Sequence, residues 1–322
     1  MTKIAVVEGD GIGHEVIPVA QNALALLHPE YEFFPVDVGY GRWETTGCPC
    51  SDDEIAALKT ADAVLFGAIT TLPMKDYQSV VLRIRKALDL YANLRPVKGD
   101  NFDIMIVREN TEGLYSGIEE STEDRATTLR LVTRTGSERI VRSALHLAKS
   151  RSGKLTIGHK ANVLKSDVFF RDICIAEVKD TGISCNDKFI DALALDVLQH
   201  PAAYDVIVTT NIFGDILSDV ASYLVGGLGL VPSANVGDRY ALFEPVHGSA
   251  PDIAGKNIAN PIAALRSASM LLSHLGDRKG AGRIESAIAA VLASGIRTRD
   301  LGGSVGTVEF GGAVIRALGL TS

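Results

Sequence analysis

The sequence predicts an α/β protein of two domains, and three observations carry that expectation. Apolar, β-branched runs alternate with stretches of helical periodicity along the 322 residues, the signature of a sheet layered with helices. The same βα pattern opens and closes the chain, whereas the middle holds an alternating, partly polar stretch between Ser116 and Thr135 that reads as a hairpin or arm. The length also allows a large buried core and more than one domain. The expected organisation is a discontinuous large domain, residues 1–94 and 230–322, around a smaller inserted one, residues 95–229, with the arm near 116–135.

Lys3-Ile-Ala-Val-Val7 is the first strand, and Gly9-Asp-Gly-Ile-Gly13 turns it into a helix running to about Leu27. Ser51-Asp-Asp-Glu54 is a capping box opening a helix over 55–59. Ala63-Val-Leu-Phe66 is a buried strand closed by Gly67. Residues 79–92 have helical periodicity, with Val81, Leu82, Ile84, Leu88 and Tyr91 available for burial. Ile104-Met-Ile-Val107 is again a strand, and residues 127–135 alternate like a partly exposed antiparallel one. Helix 138–149, strand 154–158, helix 165–179 and helix 191–199 lead to Asp205-Val-Ile-Val-Thr209, a buried strand. In Asn211-Ile-Phe-Gly-Asp-Ile-Leu-Ser-Asp219, Gly214 allows a sharp turn, and Asp215 and Asp219 then share one face of the next helix. Beyond Gly226-Gly-Leu-Gly229 comes a loop-rich segment, then helices near 261–275 and 281–293.

Composition narrows the function classes. Hydrophobic residues make up 46% and charged residues 22% of the chain, which excludes a disordered protein. A formal net charge of -7 argues against nucleic acid or an anionic membrane as partner, while leaving room for a local arginine cluster that binds an anionic metabolite. Cys48, Cys50, Cys174 and Cys185 form no C-x-x-C pair, so reduced thiols in a cytosol are expected. The chain opens on a strand without a basic-then-apolar leader and has no run of membrane-spanning length, giving the expectation of a soluble cytoplasmic protein.

Chemistry-bearing residues cluster at the ends of regular elements. Two carboxylates stacked as Asp215 and Asp219 repel unless a cation lies between them, and oxygen-only donors suit Mg²⁺ or Mn²⁺ better than zinc. Helix capping by one Asp, with the other solvated, is the plainer explanation of a lone D-x-x-x-D. Arg85, Arg95 and Arg108 lie at or just after regular elements; converging guanidinium forks would bind a di- or tricarboxylate, and singly each reads as well as a surface salt bridge. Lys160 follows directly on strand 154–158, and an ammonium near a divalent cation gives up its proton more readily, so such a lysine can act as a base. Tyr115, after a glycine turn, is a phenol able to deliver a proton, with packing as its plainer role. The loop from Glu244 to Pro261, with His247, Gly248, Ser249 and Ala250, is small and rigid enough to wrap a planar ring, and Asn260 can cap the helix that follows. The glycine loop reads G-x-G-x-G rather than G-x-G-x-x-G, and no ribose-binding acid follows at about twenty residues, so a Rossmann dinucleotide fold is not expected.

Taken together, Gly9–Gly13, Tyr91-Ala-Asn-Leu-Arg-Pro96, Arg108-Glu-Asn-Thr-Glu-Gly-Leu-Tyr115, His159-Lys-Ala-Asn-Val163, Asn211–Asp219 and Glu244–Pro261 resemble, in this order, the metal-dependent β-decarboxylating dehydrogenases. That family oxidises isocitrate, homoisocitrate or 3-isopropylmalate. The resemblance implies an isopropylmalate dehydrogenase-like fold, with a large cofactor-binding domain and a smaller one for dimerisation, metal and substrate. It implies a homodimer with shared active sites. Arg85, Arg95 and Arg108 are then the carboxylate clamp; Asp215 and Asp219 are metal ligands, completed by Asp191 from the partner subunit, which also supplies Lys160 as base. Asn162 and Val163 flank that lysine as substrate contacts, Tyr115 returns a proton to carbon, and Ile12, Glu244, His247, Gly248, Ser249, Ala250, Asp252, Ile253 and Asn260 face the cofactor.

The same resemblance directs the choice of cofactor and substrate. Asp252-Ile253 face the adenosine ribose; a carboxylate accepts from a free 2'-hydroxyl and repels a 2'-phosphate, so NAD is expected. Ser79, Val81 and Leu82, with Gln78, lie where the family discriminates the variable substituent. The apolar pair suits an isopropyl group, which makes 3-isopropylmalate the expected substrate. Arg83 meets a distal carboxylate, as homoisocitrate would need, or projects into solvent. Retention of Lys160, Tyr115, Asp191, Asp215 and Asp219 argues against a non-catalytic regulatory subunit.

Overall fold

The computed structural model describes residues 1–72, 77 and 79–320; Pro73 and Gln78 of the segments above lie outside the described residues. It is a mixed α/β structure that divides into two compact units, one of Met1–Leu88, Gly226–Ala234 and Arg239–Ser322, the other of Asp89–Val225 and Asn235–Asp238.

The first unit begins with β1 (Lys3–Val7), α1 (Gly13–Leu27), β2 (Glu32–Pro35), α2 (Tyr40–Thr46), α3 (Asp52–Leu58), β3 (Ala63–Phe66) and α4 (Val80–Ala87). β1 lies between β2 and β3, parallel to both, and its Ile4, Ala5 and Val7 are wholly buried. The capping box forms: Ser51 accepts from the Asp53 amide, and Glu54 reaches back to the Ser51 amide. Helix α4 is shorter than the periodicity of 79–92 suggests. Asp89 adopts φ 48°, a left-handed conformation that ends the helix, so Ile84, Arg85 and Leu88 are buried while Val81, Leu82 and Tyr91 are only half-buried.

The second unit follows with β4 (Ala92–Lys98), β5 (Asp103–Glu109), β6 (Glu119–Ser121), β7 (Ala126–Thr128), α5 (Arg134–Ser150), β8 (Lys154–His159), α6 (Lys165–Val178), β9 (Ser184–Phe189), α7 (Ile190–Gln199), β10 (Val206–Thr209) and α8 (Asn211–Ser222). Its strands run in the order β4-β5-β10-β8-β9; β4 is antiparallel to β5 and the remainder are parallel. β6 and β7 form the expected exposed antiparallel hairpin. The alternation over 127–135 extends past the strand, because Thr133 caps α5 and the chain is helical from Arg134. The core is apolar on both faces of the sheet: Ile140, Val141 and Phe170 pack with Val107, Ile157 and Val208, and Leu193, Leu217 and Ala221 pack with Ile104, Ile106 and Ile207.

The chain re-enters the first unit at Gly226; β11 (Pro232–Val236) begins in that unit and ends in the second, and β12 (Ala241–Pro245), α9 (Ile262–His274), α10 (Arg278–Ala293) and α11 (Thr307–Leu320) complete the first. β12 adds to β3 in parallel. Among the described residues no helix is long and apolar enough to cross a membrane.

Candidate active site

In the second unit, four elements bring five predicted residues together. Arg95 comes from β4, Arg108 from the end of β5, Tyr115 from the turn after it, and Asp215 and Asp219 from α8. Asp215 is the hub: Oδ1 accepts from Arg95 Nη2 at 3.1 Å and from Arg108 Nη1, and Oδ2 accepts from the Tyr115 hydroxyl at 3.2 Å. Asp219 Oδ1 accepts from Arg95 Nη1 at 3.3 Å. Burial raises the Asp219 carboxyl pKa, Arg95 opposes the rise, and the neighbouring Asp215 adds to it, leaving the value above the usual aspartate range.

Helix capping does not explain these aspartates. Thr210 is the N-cap and α8 starts at Asn211, so both carboxylates lie inside the helix. For the same reason Gly214 makes no turn. It sits where α8 crosses β5, and a Cβ there would fall 2.6 Å from Arg108 Cβ. The missing side chain lets the helix approach the strand closely enough for Asn211 Oδ1 to accept from Arg108 Nε at 3.1 Å and Nη2 at 2.8 Å. Ser218 Oγ similarly accepts from Arg95 Nη1 at 2.7 Å, and Asn93 Oδ1 from Arg95 Nε at 2.7 Å. Asn93 and Ser218 carried no signal in the sequence, since their role exists only once β4 and α8 are packed.

Lys160 and Asp191 form a second group in the same unit. The Lys160 ammonium lies 2.7 Å from Asp191 Oδ1, at the start of α7, and this partner holds the exposed carboxyl below its usual range. Asn162 and Val163 are exposed in the turn that follows β8.

In the first unit, Arg85 donates to Glu244 Oε1 at 3.3 Å, both side chains being nearly enclosed. Exposures of 7%, 6% and 1% for Arg85, Arg95 and Arg108 exclude surface salt bridging for all three. Ser79 caps α4 by accepting from the Leu82 amide. Arg83 pairs with Asp52 at 2.7 Å. The glycine loop is used for close backbone approach: Asp10 accepts from the amides of Tyr40, Gly41 and Thr70, and the Ile12 amide donates to the Ser249 carbonyl at 2.9 Å. Gly11 has φ 59°, and a Cβ there would lie 2.0 Å from that carbonyl oxygen. Gly11→Ala is therefore expected to lower Tm by several degrees, as a thermal melt would show. Asn260 Oδ1 accepts from the Ile262 amide at the head of α9, as a cap should.

The donor chemistry fits the expected groups. Asp215 and Asp219 are 31% and 51% exposed, oxygen-only and adjacent, which suits a hard divalent cation. Among the described residues one chain gathers no set of three His, Cys, Asp or Glu able to hold a metal. His247 Nε2 is buried without a protein partner, and burial lowers the ring pKa, leaving a neutral imidazole available to a ligand. Asp252 is exposed in the same loop, 246–258.

Buried arginines thus meet paired helical carboxylates in the second unit, with a lysine–aspartate pair elsewhere in the same unit. A profile described as isocitrate/isopropylmalate dehydrogenase matches residues 3–314. The chain belongs to the isocitrate/isopropylmalate dehydrogenase family. It is 46% identical to the 3-isopropylmalate/3-methylmalate dehydrogenase of Methanocaldococcus jannaschii, with 96% of each chain covered. It is 45% identical to the isocitrate/homoisocitrate dehydrogenase of Thermus thermophilus, with 98% of each covered. Among solved structures, isocitrate dehydrogenase from Methylococcus capsulatus matches with a TM-score of 0.95 at 38% identity, over 99% of each chain.

Proposed function

We propose that the protein is an NAD-dependent 3-isopropylmalate dehydrogenase, requiring Mg²⁺ or Mn²⁺ and acting as a cytoplasmic homodimer in leucine biosynthesis. The observation that carries the substrate choice is the state of α4. Val81 and Leu82 offer apolar surface on the helix that carries the buried Arg85, and Arg83 pairs at the surface with the exposed Asp52. An isopropyl group gains by burying methyls there, whereas the extra carboxylate of homoisocitrate or isocitrate would need a cation.

Arg85, Arg95 and Arg108 take the carboxylates of the malate core. Asp215 and Asp219, with Asp191 of the partner subunit, would hold the divalent cation, and Glu244, His247, Gly248, Ser249, Ala250, Asp252, Ile253, Asn260 and Ile12 would hold NAD. When bound, NAD supplies a hydride acceptor and the cation supplies Lewis-acid stabilisation of negative charge on oxygen. Lys160 of the partner subunit takes the proton of the substrate hydroxyl. Its contact with Asp191 within one chain supports both being delivered together. After CO₂ leaves, Tyr115, whose hydroxyl is already oriented by Asp215, returns a proton to the enol carbon.

A panel of 3-isopropylmalate, homoisocitrate and isocitrate, each with NAD and NADP, tests this reading. Expected is the highest kcat/KM on 3-isopropylmalate with NAD. A comparable or higher kcat/KM on either tricarboxylate would refute the substrate assignment, and a preference for NADP would refute the role given to Asp252.

A further inference from the structure

Arg130 lies between the β6–β7 hairpin and α5, with 12% of its side chain exposed. Nη2 donates to Asp167 Oδ1 at 2.6 Å and to Thr210 Oγ1 at 2.8 Å. The Phe213 ring centroid is 4.8 Å from Cζ. Asp167, on α6, is wholly buried, and its other oxygen accepts the backbone N–H of Lys160 at 2.7 Å. One ion pair therefore joins the turn that carries Lys160 to the head of the helix that carries Asp215 and Asp219.

Stability alone is a poor reason for an arginine at this place. Its Nε and Nη1 are buried without a hydrogen-bond partner, and unmet buried donors cost free energy. Replacing a buried ion pair by packed apolar groups is commonly neutral or favourable. What the pair does supply is a fixed backbone at Lys160. A second device works beside it: His159 Nδ1 accepts the Ala161 amide at 3.1 Å while Nε2 meets Asp187 at 2.8 Å. The turn is thereby held at two successive amides, which limits where the Lys160 ammonium can reach.

We propose that Arg130, acting through Asp167, is a positioning residue for Lys160 that ties its turn to α8. The proposal rests on the reading of Lys160 as the base and of Asp215 and Asp219 as metal carboxylates. In a homodimer with shared sites, those two elements of one chain serve different active sites. Arg130 then links the two sites through a single chain.

The test compares Arg130→Gln, Arg130→Lys and Thr210→Val with the parent full-length enzyme. One readout is kcat and KM on whichever malate derivative the parent oxidises, with Mg²⁺ and NAD. The other needs no turnover: the rate at which acetic anhydride acetylates Lys160, followed by mass spectrometry. Arg130→Gln is expected to lower kcat by about 10- to 100-fold with KM changed less than about threefold, and to change the Lys160 acetylation rate by about threefold or more. Arg130→Lys keeps the charge against Asp167 and recovers most of the lost kcat. Should Arg130→Gln fail to fold, Thr210→Val removes only the acceptor on α8 and is expected to lower kcat by about three- to tenfold. Unchanged kcat and acetylation in folded variants overturn the proposal. So does a loss carried wholly by KM, which would make Arg130 a substrate-binding group. A parent inactive on every malate derivative overturns the functional reading instead, and the acetylation rates still decide the positioning role.

Discussion

Asp215→Ala is expected to lower kcat/KM by at least about 10³-fold, an effect of about 4 kcal/mol. The carboxylate serves two purposes at once: it is a candidate metal donor, and it accepts from Arg95, Arg108 and Tyr115. Alanine removes both, so the isosteric Asp215→Asn separates them. The amide keeps the shape and one acceptor for the buried guanidiniums, yet it is a neutral and poorer ligand for a hard cation. A loss of similar size is expected for Asp215→Asn, with the melting temperature of the metal-free protein lowered less than in Asp215→Ala, because the amide still accepts from one guanidinium. Mg²⁺ or Mn²⁺ should raise Tm of the parent, as any ligand selective for the native state does, and fail to raise it in either variant. Asp215→Asn with more than about a tenth of parental kcat/KM would remove the aspartate from the metal site.

Gly214→Ala is expected to destabilise the protein by about 1–3 kcal/mol through overpacking. The sign makes this prediction sharp. In an exposed helix interior the same change stabilises by up to about 1 kcal/mol, because alanine is the better helix former. Here the added Cβ would lie 2.6 Å from Arg108 Cβ and 3.2 Å from its Cα, atoms that cannot swing aside without moving β5. The displacement would disturb the Asn211–Arg108 hydrogen bonds, so KM for the substrate should rise along with the loss of stability. Thermal melts and steady-state kinetics on the same preparation measure both. A Tm raised above the parent's would show that α8 has room against β5.

Much of the fold was legible because local signals agreed with the final packing. Lys3–Val7 and Ala63–Phe66 are apolar on both faces and became central parallel strands, and Ser51 with Glu54 formed its capping box. Segments whose structure depends on neighbours were not legible. β9 reads Ser-Cys-Asn-Asp-Lys-Phe and stands at a sheet edge, exposed along most of its length, so no apolar pattern announces it. β4 went unread, and the helical periodicity of 79–92 runs on to its first residue because nothing before Asp89 marks the left-handed residue that ends α4. β11, β12 and α11 went unread in segments rich in glycine and proline.

The site divides along the same line. A charged residue ending an apolar strand marked Arg108, and the four-residue spacing marked Asp215 and Asp219. Their mutual engagement was not foreseeable, since it requires β4, β5 and α8 to meet. The same holds for Gly214, taken for a turn former when its contribution is an absent methyl group facing Arg108. Asp167 and Arg130 gave no signal at all, being an ordinary helical acid and a residue at the foot of an arm until folding buries them together.

The most direct test of the central claim, a metal-dependent oxidative decarboxylation carried by the Asp215–Asp219 pair, is a product balance. Purified protein is given 3-isopropylmalate, NAD and Mg²⁺, and NADH and released CO₂ are measured together, with a chelator-treated sample alongside. The account predicts NADH and CO₂ in equal amounts and neither after chelation. NADH without CO₂, or undiminished turnover in chelator, would contradict it.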